Sequence, residues 1–217
     1  MIAMALIFGG SFTLALSGAL MPGPLLTVTI AESVRRGFRA GPLLMAGHAV
    51  LELLLVLAVI KGLGPYLISP LIIVIIAVIG GAVLVWMGVD MIRTAGNLSL
   101  EGETSGASSR NMPHPFLMGI LASISNPYWT IWWVTIGMAY LMAAIKFGYA
   151  GVMVFFLGHI SADFAWYSVV SYGISRGKRL LKDRSYQMMI RVCGLFLLGF
   201  GGWFLLSTKD YLAKVIA

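Results

Sequence analysis

The sequence predicts an all-α integral membrane protein whose six transmembrane helices form two inverted three-helix repeats. Three observations predict it. Of 217 residues, 59% are hydrophobic and 11% charged, against about 45–50% apolar and 25% charged in soluble domains. The apolar residues gather into six runs, 2–33, 41–60, 66–92, 116–144, 148–174 and 188–207, each at or above the ~20 residues a bilayer-spanning helix needs. Motifs in the first three runs recur in the last three.

The first run is too long for one straight helix, because 32 residues would extend roughly 48 Å at 1.5 Å per residue, beyond a hydrocarbon core of about 30 Å. It contains ALMPGPLLTVT. Proline lacks a backbone donor and clashes with the preceding turn, so Pro22-Gly23-Pro24 predicts a break inside the membrane. No basic residue precedes this run, so a cleaved signal peptide is not expected. The second run carries GHAVLE at 47–52 and the third carries GGAVLVWMG from Gly80. The polar stretch between the halves, rich in Gly and Ser, reads as a flexible connector. Boundaries follow: a first repeat over 1–94, a connector over 95–113 and a second repeat over 114–217.

In the second half, SISNPYWTIWW predicts a break at Asn126-Pro127, GHISAD at 158–163 repeats the histidine–carboxylate spacing, and CGLFLLGFG from Cys193 answers GGAVLVWMG. Gly37 to Gly47 and Gly148 to Gly158 share one spacing, as do Gly81 to Gly88 and Gly194 to Gly201. A unit with an odd number of crossings, fused to a copy of itself, must place that copy upside down. Inverted repeats of this kind are frequent in secondary transporters, where alternating access opens a central site to either side.

Charge sets the expected orientation. Four basic residues (Lys61, Lys146, Lys209, Lys214) fall on one side and the other eleven of fifteen in connections 1–2, 3–4 and 5–6 or the adjoining helix ends. Retention of Lys and Arg in the cytoplasm then puts both termini outside. The net charge of +7 lies in loops, which argues against a nucleic-acid partner. RGKRLLKDR at 176–184 can meet anionic membrane lipids. Asn97-Leu98-Ser99 matches a glycosylation triplet but falls on the cytoplasmic side. The single Cys193 excludes an intrachain disulfide or a two-thiol exchange cycle and is expected to serve packing.

The candidate site is built from two features. Helices restarting at Pro24 and Pro127 would present unpaired N–H groups to a carboxylate, with Gly23, Thr27, Ser125 and Asn126 beside them and Ser17 and Ser123 near. Proline kinks used only for packing are the bland alternative. Secondly, carboxylates at mid-membrane are costly, about 2.5–3.5 kcal/mol on the insertion scale. His48 with Glu52 and His159 with Asp163, each at i and i+4, share a helix face, and pseudo-symmetry would bring both pairs toward the centre. Burial and a neighbouring imidazole act on a carboxyl's proton affinity in opposite senses, so these groups can exchange protons near neutral pH. Glu52 and Asp163 are expected to bind a cationic group, an ammonium or a proton, with the histidines tuning them; mutual satisfaction as helix glue is the alternative. Glu32, Asp90 and Asp210 are expected at the interface, Asp90 beside Arg93.

About 200 residues, six helices in two halves, PGP followed by Gly37, Gly41 and Gly47, and an Asn-Pro in the fourth helix resemble the lysine exporter (LysE/RhtB) family over nearly the whole chain. The resemblance implies amino-acid efflux across the cytoplasmic membrane, driven by proton exchange or by the membrane potential, with no cofactor. Tyr128 departs from the Lys or His that often follows Asn-Pro there. Related families export divalent metals, so a metal or other small-cation exporter stays open. The chain carries no HExxH motif and no second cysteine, which argues against an enzyme. Small residues such as Ala77 and Gly81 leave a membrane scaffold or a homo-oligomer open.

Overall fold

The computed structural model describes residues 1–21, 23–67, 69–96, 113–177 and 182–216. The connector residues 97–112 and residues 178–181 of the basic loop lie outside them, as does Pro22. Among the described residues the chain is helical with no strand, and six helices are long and apolar enough to cross a membrane.

Helix α1 (Ile2–Ala19) ends where the proline-rich stretch begins, and α2 (Pro24–Arg36) opens with Pro24 at its first turn and extended Gly23 as its cap. Proline suits that position because its missing N–H would have no intrahelical partner. Gly37 closes α2 with a φ of 76°, a left-handed value that glycine adopts without a Cβ clash. Helix α3 (Ala40–Ala58) runs into a π-helical turn at Val59–Leu63, where Gly62 at φ 84° breaks the helical path, then a short α4 (Gly64–Leu67). Helix α5 (Pro70–Ala95) again starts on a proline.

In the second half α6 (Pro115–Ile124) stops short of Asn126, and α7 (Pro127–Trp132) starts at Pro127. The Asn126 side chain accepts the Tyr128 N–H at 3.1 Å, satisfying one of that helix's orphan donors. A π-helical turn, Trp133–Gly137, leads into α8 (Met138–Ile145), followed by α9 (Gly148–Gly177) and α10 (Asp183–Ile216). Gly148 has a φ of 67°.

Three long-range pairings organise the bundle: α10 along α5, α1 along α9, and α3 along α6. Glycine makes each possible. A Cβ on Gly88 would lie 2.7 Å from the Gly194 carbonyl oxygen and one on Gly194 2.8 Å from that of Gly88. Gly81 and Gly201 stand in the same mutual relation at 3.0 and 2.9 Å. At α3–α6 a Cβ on Gly47 would strike the Phe116 carbonyl and one on Gly119 the Leu44 carbonyl; at α1–α9 one on Gly158 would strike Ser11 and Phe8. Lipid supplies little hydrophobic drive between helices, so such close backbone approach carries the packing. Gly81 and the fully buried Ala77 are thus spent inside the chain, and Gly81 faces α10 rather than a partner.

The basic ends converge. Arg35 donates to the Thr94 hydroxyl at 3.1 Å, Arg36 to the Pro113 carbonyl at 3.4 Å, and Gln187 to that of Gly96 at 3.4 Å, joining the ends of α2 and α5 to the starts of α6 and α10. Glu32 stands near the end of α2 beside the basic residues, with its side chain fully buried, 2.6 Å from Arg36 and 3.6 Å from Arg35, on a helix packed against α9 and α10. Among the described residues no ion pair joins Asp90 to Arg93; the Asp90 Oδ2 is buried without a hydrogen bond. The Asp210 side chain lies outside what the structure describes.

Candidate functional site

Gly47 and Gly158 draw α3 against α6 and α9 against α1, and the next residue on each helix is a histidine. One turn further on stand Glu52 and Asp163. All four side chains are buried, and one ligand atom from each lies within 4.8 Å of the others. The pairs are cross-linked rather than separate. His48 Nε2 is 3.2 Å from Glu52 Oε1 and 3.6 Å from Asp163 Oδ2; His159 Nε2 is 2.8 Å from Glu52 Oε2 and 3.4 Å from Asp163 Oδ2. The contact between the halves, His159 to Glu52, is shorter than either contact along one helix.

Partners fix each member. The Ser123 hydroxyl donates its one proton to the Gly119 carbonyl at 2.6 Å. Its contact with His48 Nδ1 at 2.8 Å therefore has the imidazole as donor, and Nε2 is left facing the carboxylates. Glu52 Oε1 accepts indole N–H bonds from Trp129 at 2.9 Å and Trp133 at 2.8 Å, charge-assisted bonds that hold a carboxylate in place. The Trp132 and Trp133 rings flank His159, with centroids 4.7 and 5.6 Å away. Asp163 Oδ2 and His159 Nδ1 are buried with no hydrogen bond.

These residues border a cavity of about 410 Å³, within the range typical of small-molecule sites. Both helix interruptions reach it, through Ser17, Gly18, Ala19, Met21 and Gly23 on one side and Asn126, Tyr128 and Trp129 on the other. They face each other closely: a Cβ on Gly23 would sit 3.5 Å from the Asn126 Nδ2. The Thr27 N–H bonds to the Gly23 carbonyl at 3.0 Å, so Leu25 and Leu26 lie in the first turn of α2, at its N-terminal end. Both residues line the cavity.

Of the residues singled out in the sequence, Gly23, Asn126, His48, Glu52, His159, Asp163 and Ser17 line the cavity. Ser123 stands behind it as the His48 partner. Thr27 does not reach it: its hydroxyl bonds back to the Gly23 carbonyl at 3.0 Å. Ser125 is buried with an unpaired hydroxyl and does not line the cavity. Pro24 and Pro127 begin helices rather than contribute polar atoms. Trp129, Trp133 and Tyr167 were missed; the i, i+4 spacing of the two tryptophans after Asn-Pro was the available signal.

Six apolar spans around a cavity bordered by buried histidine and carboxylate side chains define a multi-pass membrane protein with a ligand-sized internal site. The chain belongs to the LysE type translocator family, whose profile matches residues 16–208; it is a translocator rather than an enzyme. It is similar to "Chemotactic transduction protein ChpE" of Pseudomonas aeruginosa, at 27% identity over 91% of this chain and 94% of the relative. It is similar also to "Putative amino acid efflux protein YcgF" of Bacillus subtilis, at 23% identity over 91% and 94%. No solved structure matches the chain significantly.

Proposed function

We propose that the chain exports amino acids across the cell membrane by alternating access, with termini outside, and that its halves are inverted repeats in which spans one and four are broken helices. The meeting of both helix interruptions at one cavity with Glu52 and Asp163 carries this reading. An amino acid needs opposite charges matched at close range. The buried Asp163 Oδ2, with Glu52 beside it, offers its charge to the ammonium; the positive N-terminal end of α2, where Leu25 and Leu26 line the cavity, suits the carboxylate. The name of the Bacillus relative points the same way.

Several pairs of features support the repeat. Gly37 and Gly148 share positive φ, Gly47 and Gly158 each bury against the opposite half, and Gly81–Gly201 with Gly88–Gly194 form a reciprocal seam. Proton coupling follows from shared occupancy. An ammonium and a proton both neutralise the same carboxylates, with His48 and His159 within reach to relay the proton, so loading one displaces the other.

The test is counterflow in proteoliposomes of the purified chain, with a panel of radiolabelled amino acids and an imposed pH gradient. Saturable exchange of a subset, stimulated by the gradient, is expected. A chain inserted and monodisperse that exchanges none of the panel overturns the reading.

A further inference from the structure

We propose that His48, Glu52, His159 and Asp163 form a binding site for one divalent transition-metal ion of the zinc or cobalt class. The inference goes beyond amino-acid export, since a metal-free chain keeps both carboxylates for an ammonium.

Donor identity comes first. Two imidazole nitrogens and two carboxylate oxygens suit borderline first-row metals, whereas calcium and magnesium take oxygen donors. Geometry agrees. In a tetrahedral site with bonds of about 2.0–2.1 Å, neighbouring donors stand ~3.4 Å apart. The edges from Asp163 Oδ2 to His159 and His48 Nε2 measure 3.4 and 3.6 Å. The 2.8 Å edge from His159 to Glu52 opens to that length with a shift of about half an ångström.

Tautomer and charge add independent support. With Nδ1 donating to Ser123, a His48 that gives up its second proton presents its Nε2 lone pair to the two carboxylates, the arrangement a shared metal ion would fill. Ligating histidines commonly donate their other N–H to such a partner, which fixes the ring. Without metal the two imidazoles can hold protons against the two carboxylates; a divalent ion matches the same pair of negative charges and releases those protons on binding. Asp163 Oδ2 is buried without a hydrogen bond, an unspent donor aimed into the cluster. Since an ammonium needs that same atom, metal and amino acid exclude one another.

The test uses the full chain, purified in detergent, stripped with chelator and titrated with Co²⁺ and then Zn²⁺. One equivalent of Co²⁺ giving the intense visible bands of a four-coordinate ion, displaced by Zn²⁺ and unaffected by excess Mg²⁺, is expected. His48→Gln, His159→Gln and Asp163→Asn should each weaken Zn²⁺ binding at least tenfold, and Ser123→Ala about tenfold. The wild-type spectrum decides if a variant fails to fold. Absence of stoichiometric binding at micromolar metal, a cobalt–thiolate band implicating Cys193, or folded variants binding as wild type overturn the proposal. Counterflow on the stripped protein separates the readings: amino-acid exchange without metal binding sinks the metal site alone, and metal binding without exchange sinks the amino-acid reading alone.

Discussion

Replacing Gly47 by alanine should disable transport without unfolding the chain. The added Cβ would fall against the Phe116 carbonyl oxygen, 2.8 Å from its carbon and 3.3 Å from the Ile120 nitrogen. Non-bonded carbons rest about 3.5–4.0 Å apart, so α3 and α6 must separate by about 1 Å. His48 is the next residue, and its 2.8 Å contact with Ser123 bridges these two helices. An added ~1 Å takes that bond beyond useful range, freeing the imidazole that faces Glu52. Misplacement on this scale costs roughly 100-fold in rate, whereas overpacking costs about 1–3 kcal/mol of stability, leaving a folded protein. The assay is amino-acid counterflow at matched protein-to-lipid ratio beside thermal melting in detergent. Gly119→Ala, which presses on the same crossing through the Leu44 carbonyl, should behave alike. Gly173→Ala is the control, because nothing lies within 4 Å of its added carbon. Wild-type flux in Gly47→Ala, or equal loss in Gly173→Ala, would refute the reasoning.

Glu52→Gln keeps an acceptor for the two indoles but removes the charge, so flux should fall to background and the remaining pH dependence flatten; an unchanged pH profile in liposomes counts against a role in coupling. Trp133→Phe keeps an aromatic ring but removes a bond of 2.8 Å to a carboxylate, worth about 1.5–3 kcal/mol, and should lower both counterflow and the melting midpoint; wild-type values in both would deny the indole its part in holding Glu52. Glu32→Ala leaves Arg35 and Arg36 without the carboxylate between them, a loss of about 3–5 kcal/mol for a buried pair; the measurement is melting temperature, and an unshifted midpoint would deny the network its structural part.

The spans were legible because lipid imposes a length and a composition that few other environments demand. The helix starts at Pro24 and Pro127 were legible as well; Pro70 and Pro115, not singled out, open helices in the same way, at a position where a missing N–H is harmless. The burial of Glu32 was not legible. Its position beside Arg35 and Arg36 at the end of an apolar run reads as interfacial, which leaves burial open, and one dimension does not show that α2 packs against α9 and α10. Thr27 turns away for a local reason: its hydroxyl bonds back to the Gly23 carbonyl one turn earlier, as threonine commonly does inside a helix, instead of facing the cavity.

The histidine–carboxylate spacing gives two pairs on two helices, expected to approach each other near the centre, and the structure joins them as one group of four. Periodicity relates residues on a single helix and is silent about which helix lies opposite. Yet the glycine before each histidine carried that information. A residue without a side chain, at a position where any Cβ strikes a neighbouring backbone, marks the crossing point of two helices. Gly47 and Gly158 bring α3 to α6 and α9 to α1, so each histidine stands where a helix of one half meets a helix of the other. Glu52 then answers His159 at 2.8 Å, closer than the 3.2 Å to His48 on its own helix. A motion that changes how the halves meet must therefore change the number of donors around Glu52 and Asp163. That dependence ties the charge state of the cavity to the conformation of the bundle, which is what a coupled transporter requires.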